Sequence, residues 1–125
     1  MPGEARRKPI RWVGGSKEDV SGFPDEVKRR IGLALFEAQM GRKAKYAKPL
    51  RGYGGAGVLE VVDDFDGDTF RAVYTVRFSE AIYVLHAFQK KSPKGIKTAR
   101  TDVDLIAHRL KIARDDYEAR YGKKN

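Results

Sequence analysis

Five side chains that can act together on a phosphodiester lie within a short stretch of this sequence. Glu60, Arg71 and His86, with the adjacent Lys90 and Lys91, supply a carboxylate, a guanidinium, an imidazole and two amines. Cleavage of RNA by its own 2′-hydroxyl needs a base, an acid and cations against the charge that grows on the phosphate. Glu60 or His86 can move the proton, and the planar fork of Arg71 suits phosphate oxygens. The residue types therefore indicate metal-independent RNA cleavage.

Apolar spacing places these groups on neighbouring strands. Val58 to Asp64 and Thr69 to Phe78 flank Asp66-Gly67, a dipeptide that is typical of two-residue hairpin turns. A weaker turn signal, Ser79-Glu80, precedes a third strand from Ala81 to Lys90. Two such turns fix the strand register, and side chains alternate between the faces of each strand.

The predicted register assigns side chains to the two faces of the sheet. Glu60, Arg71, His86 and Lys90 share one face, although a β-bulge would change this parity. The predicted cross-strand neighbours are Glu60 with Val73, Val62 with Arg71, Val73 with His86, and Arg71 with Phe88. The opposite face is predicted to form a core from Leu59, Val61, Phe70, Ala72, Tyr74, Val76, Tyr83, Leu85 and Ala87.

Each polar residue also has a structural explanation. Glu60 and Arg71 are diagonal neighbours on the hairpin, so they could form a structural ion pair. A histidine on a strand, such as His86, is often a structural residue with its hydrogen bonds satisfied. Lys90 and Lys91 could be solvated charges that protect a sheet edge. Four such groups on one face favour a site over four separate explanations.

The rest of the chain predicts a small α+β fold. Ile10 to Val13 forms a short strand, Pro24 begins a helix, and a final helix begins near Thr101. The segment 42–57 carries five cations followed by four glycines, so it is predicted to be a loop or a short helix. The element order is β-α-β-β-β-α, with a mostly antiparallel sheet and the helices packed on one of its faces.

Composition limits the class of protein and its surroundings. The 125 residues, 41% of them hydrophobic, suit a single domain over 1–125 with a flexible segment at 1–9. The chain has no cysteine, which excludes disulfides and thiolate chemistry. No apolar run is long enough to span a membrane, and no secretory signal is visible. The cytoplasm is the expected compartment.

Positive charge indicates the kind of partner. A net charge of +9 favours a polyanion, because cations that neutralise phosphates release counterions, although an acidic partner protein suits this charge equally well. Lys48, Arg51, Lys94 and Lys97 are the predicted RNA-binding residues outside the catalytic group. Neither a metal nor a small-molecule cofactor is expected, since no His, Asp and Glu cluster has ligand spacing and the acidic turn 63–68 lacks a calcium-loop pattern.

Four segments carry a family resemblance: KPLRGYGGAGVLEV (48–61), DGDTFRAVYTVRF (66–78), AIYVLHAFQKKSPKGIKT (81–98) and the helix TDVDLIAHRL. Together they resemble the RelE/ParE toxin superfamily, nearest its phage-derived HigB-like branch, over about residues 8–121. The resemblance implies a RelE-like sheet flanked by helices. It further implies a toxin that cuts messenger RNA in the ribosome without a metal. A cognate antitoxin, often of the helix-turn-helix type, would silence it.

The same resemblance suggests individual roles. Arg71 occupies the position of the family's phosphate-binding arginine, and Lys91, with Lys90 beside it, occupies the basic position beyond the next strand. The sequence departs from the family around Glu60, where basic residues are common, and lacks a clear match to the catalytic tyrosine near the carboxyl terminus of some members. Glu60 and His86 are therefore the candidate general bases.

Three functions follow from these observations. The preferred one is a ribosome-dependent messenger-RNA endonuclease that acts as the toxin of a type II toxin–antitoxin system. The second is a ParE-type toxin that inhibits gyrase by protein contact and has no catalytic site. The third is a phage-derived nucleic-acid-binding protein without toxicity.

Overall fold

The computed structural model describes residues 6–53, 57–90 and 99–122. The strands are β1 Ile10–Trp12, β2 Ala47–Pro49, β3 Val58–Phe65, β4 Asp68–Thr75 and β5 Ile82–Lys90. The helices are α1 Ser16–Ser21, α2 Asp25–Gln39 and α3 Arg100–Tyr121. These described strands form one sheet in the order β1-β5-β4-β3-β2, in which β1 and β5 pair in parallel and the other neighbours pair antiparallel. The predicted α+β class with a mostly antiparallel sheet is confirmed.

The hairpin between β3 and β4 forms where the sequence predicts it. Asp66 and Gly67 both have positive φ, 54° and 87°, as a two-residue hairpin turn of this kind requires. Glu60 pairs with Val73, and the ladder continues without interruption from Val58 to Phe65. The turn therefore sets the register of the residues that carry the candidate chemistry.

Two short elements depart from the predicted order. The segment predicted as a loop or a helix contains β2, which pairs antiparallel with β3. A separate short helix, α1, follows β1. Three residues are too few to show a strand period, so β2 owes its conformation to the edge of β3 and not to a local pattern.

The prediction that the helices pack on one face of the sheet is wrong. Residues of α1 and α2 join one core cluster, and residues of α3 join a second cluster on the opposite face. The physical reason is that β4 and β5 are apolar on both faces: Tyr74 faces α2, whereas Val73 and Tyr83 face α3, and all three are at most 1% exposed. A sheet with two apolar faces needs cover on both.

The predicted pairing of β4 with β5 is wrong on one side of a β-bulge at Leu85. Val73 pairs with His86 as predicted, but Tyr74 pairs with Val84, so the register shifts by one residue. The sequence predicts that the side chain of Leu85 points to the same face as Tyr74. In the structure, this side chain packs in the α3 cluster on the opposite face. Tyr83 changes face for the same reason. The bulge precedes His86 in the chain, so the pairing from His86 to Lys90 at the end of β5 is the predicted one.

Candidate functional site

The strand register brings the four candidate catalytic groups of β3, β4 and β5 to one face. Glu60 and His86 are both paired with Val73, and Arg71 follows two residues before Val73 on β4. Lys90 lies four residues after His86 on β5. Directly paired residues share a face, as do alternate residues of a strand. The predicted common face for these groups is therefore confirmed, and it is the face that α3 partly covers.

Glu60 and Arg71 form an ion pair on this face. An Arg71 Nη1 hydrogen is donated to Glu60 Oε2 over 3.1 Å, and the two side chains are only 13% and 7% exposed. A guanidinium this deeply buried needs a nearby carboxylate to compensate for its lost hydration. The pair leaves little of the guanidinium open to solvent in this conformation.

His86 and Lys90 share a carboxylate supplied by α3. Asp102 Oδ1 lies 2.9 Å from His86 Nε2, and Asp102 Oδ2 lies 3.5 Å from Lys90 Nζ. The ring of Phe88 stacks on the imidazole, with centroids 4.6 Å apart and planes 23° apart. His86 Nδ1 is buried and has no hydrogen-bond partner among the residues that the structure describes. The carboxylate and the phenyl ring together fix the orientation of the imidazole.

Sequence reasoning missed Asp102. Its one local signal is its place in the first turn of α3, where acidic side chains favour the positive end of the helix dipole. That position is common for acidic residues and does not single out a site. The contact with His86 depends on where α3 returns to the sheet, which no pattern in the sequence encodes.

The predicted RNA-binding cations fall into two groups. Lys48 is exposed on β2 and pairs directly with Glu60, so it lies on the same face as the ion pair at the edge of the sheet. Arg51 is exposed in the turn that follows β2. The other predicted cations lie outside the described residues: Lys91, Lys94 and Lys97. Lys48 and Arg51 thus add two exposed cations at the β2 edge of the sheet, next to the ionisable groups of β3, β4 and β5.

The acidic hairpin is held by neighbouring polar groups. Thr69 Oγ1 donates to Asp64 Oδ1 at 2.8 Å, and Arg30 Nε lies 3.9 Å from Asp63 Oδ1. Burial raises the pKa of Asp63, and the nearby Arg30 opposes part of that rise.

Within the described ranges, no three His, Cys, Asp or Glu side chains are grouped to hold a metal ion. Nor does a helix within those ranges have the length and apolar character needed to cross a membrane.

Comparisons with known proteins give one family and one partial structural likeness. A chain of the toxin–antitoxin complex RelBE2 from Mycobacterium tuberculosis superposes with a TM-score of 0.45 at 16% identity, covering 71% of this chain and 98% of that one. No curated protein matches this sequence. Residues 18–111 match the family described as "Phage derived protein Gp49-like (DUF891)". The match confirms the phage-derived part of the resemblance, and the chain belongs to the Gp49-like family.

Proposed function

We propose that this protein is the toxin of a type II toxin–antitoxin pair and that it cleaves messenger RNA in the ribosome without a metal. The observation that carries the proposal is the common face of Glu60, Arg71, His86 and Lys90 on three adjacent strands. Those groups supply the base, the acid and the cations that 2′-hydroxyl attack requires. The RelE/ParE motifs and the net charge of +9 support the same function.

In the proposed reaction, an RNA phosphate takes the place of the Glu60 carboxylate on the Arg71 guanidinium. The released carboxylate removes the proton of the 2′-hydroxyl, and the 2′-oxygen attacks the phosphorus. The bond from phosphorus to the 5′-oxygen breaks, and protonated His86 gives that oxygen its proton. Asp102 Oδ1, 2.9 Å from Nε2, holds the imidazole in position for this step. The products are a 2′,3′-cyclic phosphate and a 5′-hydroxyl.

The proposed path of the RNA follows the exposed cations. Lys48 and Arg51 lie at the β2 edge, next to the strand that carries Glu60. Lys90 is placed at the far end of β5, where Lys91, Lys94 and Lys97 follow in the sequence. Cations at both ends of the ionisable groups would hold the phosphates of a message on either side of the cleaved bond.

Cleavage of a message on purified ribosomes, read by primer extension, tests the proposal. Arg71→Ala, Lys90→Ala and Lys91→Ala should each reduce the rate at least about 100-fold, since each removes charge from the transferring phosphate. Arg29→Ala is the matched control, because Arg29 is an exposed cation on α2 and should leave the rate unchanged. Thermal unfolding of each variant separates lost chemistry from lost folding. Full activity in both Arg71→Ala and Lys91→Ala would exclude the proposed site.

A second candidate is a toxin that acts by protein contact, such as a gyrase inhibitor of the ParE type. The observation that favours it is the burial of Arg71 and His86, which are 6% and 7% exposed. Induction in cells distinguishes the two functions: an early stop in DNA synthesis with intact messages supports protein contact, whereas rapid loss of messages supports cleavage. Harmless overexpression with salt-sensitive RNA binding would instead support a non-toxic nucleic-acid-binding protein.

The proposed partner is a cognate antitoxin of the helix-turn-helix type, and the proposed compartment is the cytoplasm. A short reading frame beside this gene that encodes such a protein should abolish growth arrest when both are expressed. Purification of the two proteins as one complex would establish that the rescue is direct. Unchanged arrest in the presence of the neighbour's product would exclude it as the antitoxin.

A further inference from the structure

The bulge in β5 places a buried backbone carbonyl against an arginine of α3. Leu85 is the extra residue of the bulge, and its neighbours on either side pair with consecutive residues of β4. Since Leu85 is fully buried and the extra residue of a bulge is left out of the ladder, its carbonyl needs another donor. Arg109 supplies one, with Nη1 3.0 Å from the Leu85 oxygen. A hydrogen bond from a guanidinium is stronger than one between neutral groups, so Arg109 stabilises β5 in its bulged register.

The turn after β1 leaves room for this guanidinium. Gly14 has a φ of 58°, in the left-handed region that favours glycine. A Cβ at this position would lie 2.7 Å from Cζ of Arg109, which is closer than a side chain can approach. A Cβ at the next residue, Gly15, would meet no atom within 4 Å. Arg109 therefore reaches Leu85 only because Gly14 has no side chain.

The same side of α3 also carries the carboxylate that meets His86. Asp102 precedes Arg109 by close to two turns of the helix, so both side chains can face β5. They contact consecutive residues of that strand: Arg109 meets Leu85, and Asp102 meets His86. A slip of one residue in the β5 register would turn the His86 side chain to the other face of the sheet. The position of His86 thus depends on the bulge that Arg109 stabilises and on the helix that it anchors.

We propose that Arg109 is a positioning residue for His86. It holds the bulge and α3 in the arrangement in which His86 shares a face with Glu60 and Arg71 and meets Asp102. Arg109 takes no part in proton transfer itself. Its effect on RNA cleavage rests on the proposed function, whereas its effect on the geometry of His86 can be measured by NMR without RNA.

Two substitutions disturb the contact from opposite sides. Arg109→Met removes the donor, and Gly14→Ala keeps the donor but displaces it with the added Cβ. In each variant the imidazole nitrogen resonances of His86 should shift, because the carboxylate of α3 is no longer held at Nε2. Gly15→Ala and Gly41→Ala are the matched controls and should leave these resonances unchanged. Both control positions have open space, and Gly41 also has a positive φ, so it reports the effect of backbone strain alone.

The double variant shows whether the two positions act through one contact. Gly14→Ala combined with Arg109→Met should give the same imidazole shift as Arg109→Met alone, because the added Cβ then has no guanidinium to displace. Additive shifts would mean that the two residues act independently, and they would overturn the proposal. Thermal unfolding confirms that each variant is folded. Should Arg109→Met fail to fold, Gly14→Ala carries the NMR and the cleavage measurement by itself.

Cleavage on purified ribosomes measures the consequence for the reaction. Arg109→Met and Gly14→Ala should each lower kcat at least about 10-fold with KM nearly unchanged, since a displaced His86 protonates the leaving oxygen poorly while the cations still bind the message. Unchanged imidazole resonances in both variants would overturn the proposal, as would shifted resonances with full activity. A wild-type protein that cleaves no RNA, but whose variants show the expected shifts, would contradict the proposed function and still support the role of Arg109 in orienting His86.

Discussion

The two faces of the β-sheet bury different kinds of side chain. The α2 face is closed by apolar contacts, and the buried hydroxyl of Tyr74 on that face has no partner among the described residues. The α3 face is apolar near Tyr83 but carries the Glu60–Arg71 ion pair further along. Both faces belong to the same strands, so the difference arises from alternate positions of one sequence. Polar groups that are paired can be buried where unpaired ones are costly.

Charged groups can be buried on a face of a small sheet only where that face also supplies partners for them. A face that holds charge must supply partners for it, and those partners keep the charged groups in fixed positions. The α3 face meets that requirement with Glu60 for Arg71 and with Asp102 for His86. The α2 face stabilises the fold by apolar burial.

The largest effect is expected from the apolar core of the α2 face. Ile31→Ala should lower the free energy of unfolding by about 3 kcal/mol, because Ile31 is almost fully buried and its truncation leaves a cavity. Leu33→Ala on the same helix should change it by less than about 0.5 kcal/mol, since Leu33 is exposed. Urea denaturation of both variants measures the difference. Equal effects would contradict the assigned orientation of α2.

The ion pair of the α3 face should give the next largest effect. Glu60→Gln removes a carboxylate that compensates the buried Arg71 and should cost about 2 kcal/mol of stability. In a double-mutant cycle with Arg71→Met, the double variant should lose less than the sum of the single losses. Glu37→Gln is the control, because its pair with Arg42 is on the surface and should contribute far less. Strict additivity at Glu60 and Arg71 would show that the two do not interact.

Alkaline pH should lower the free energy of unfolding through the buried hydroxyl of Tyr74 on the α2 face. Burial raises the pKa of Tyr74 from its usual value of 10 to about 12. Ionisation of this hydroxyl does not affect the free energy of unfolding below pH 10, where the group is neutral in both the folded and the unfolded chain. As the pH rises from 10 to about 12, only the unfolded chain ionises readily, so the folded state loses stability. Across that range, wild type should lose about 2 kcal/mol more than Tyr74→Phe. Denaturation of both proteins at pH 9 to 12 gives the comparison, and parallel curves would contradict it.

The smallest effects compare one tyrosine from each face. Tyr83 donates to Asp116 Oδ2 at 2.6 Å, so Tyr83→Phe should cost about 1 kcal/mol. Tyr74→Phe at neutral pH should instead stabilise the protein by up to about 1 kcal/mol, because it removes a buried hydroxyl without a partner among the described residues. Thermal unfolding of the two variants should therefore shift in opposite directions. Shifts of the same sign would remove the proposed distinction between the faces.

The fold was largely predictable wherever local chemistry decides conformation. Asp66-Gly67 dictates a tight hairpin, and that turn carried the correct register from Glu60 to Val73. The β5 bulge at Leu85 was not predictable, because the run from Ala81 to Leu85 is apolar throughout and has no alternation that an extra residue would interrupt. The strand β2 was missed for a similar reason, since three residues pair only where an edge is offered to them.

The candidate site was predictable in part. Parity along the strands placed Glu60, Arg71, His86 and Lys90 on one face from the sequence alone. Their roles in cleavage stay a prediction. No pattern in the sequence indicated that α3 crosses this face and places Asp102 beside His86. The position of α3 determines how much of this face is open to solvent.

The composition of each strand, the hairpin turn and the alternation that aligns the ionisable groups all follow from the amino-acid sequence, because they depend on neighbours a few residues apart. Long-range packing set which helix covers which face, which carboxylate meets which cation and which apolar residues stay exposed. Those outcomes depend on contacts between residues far apart in the chain. Both faces of the central strands are apolar, so the choice of cover was left to the packing of the whole molecule.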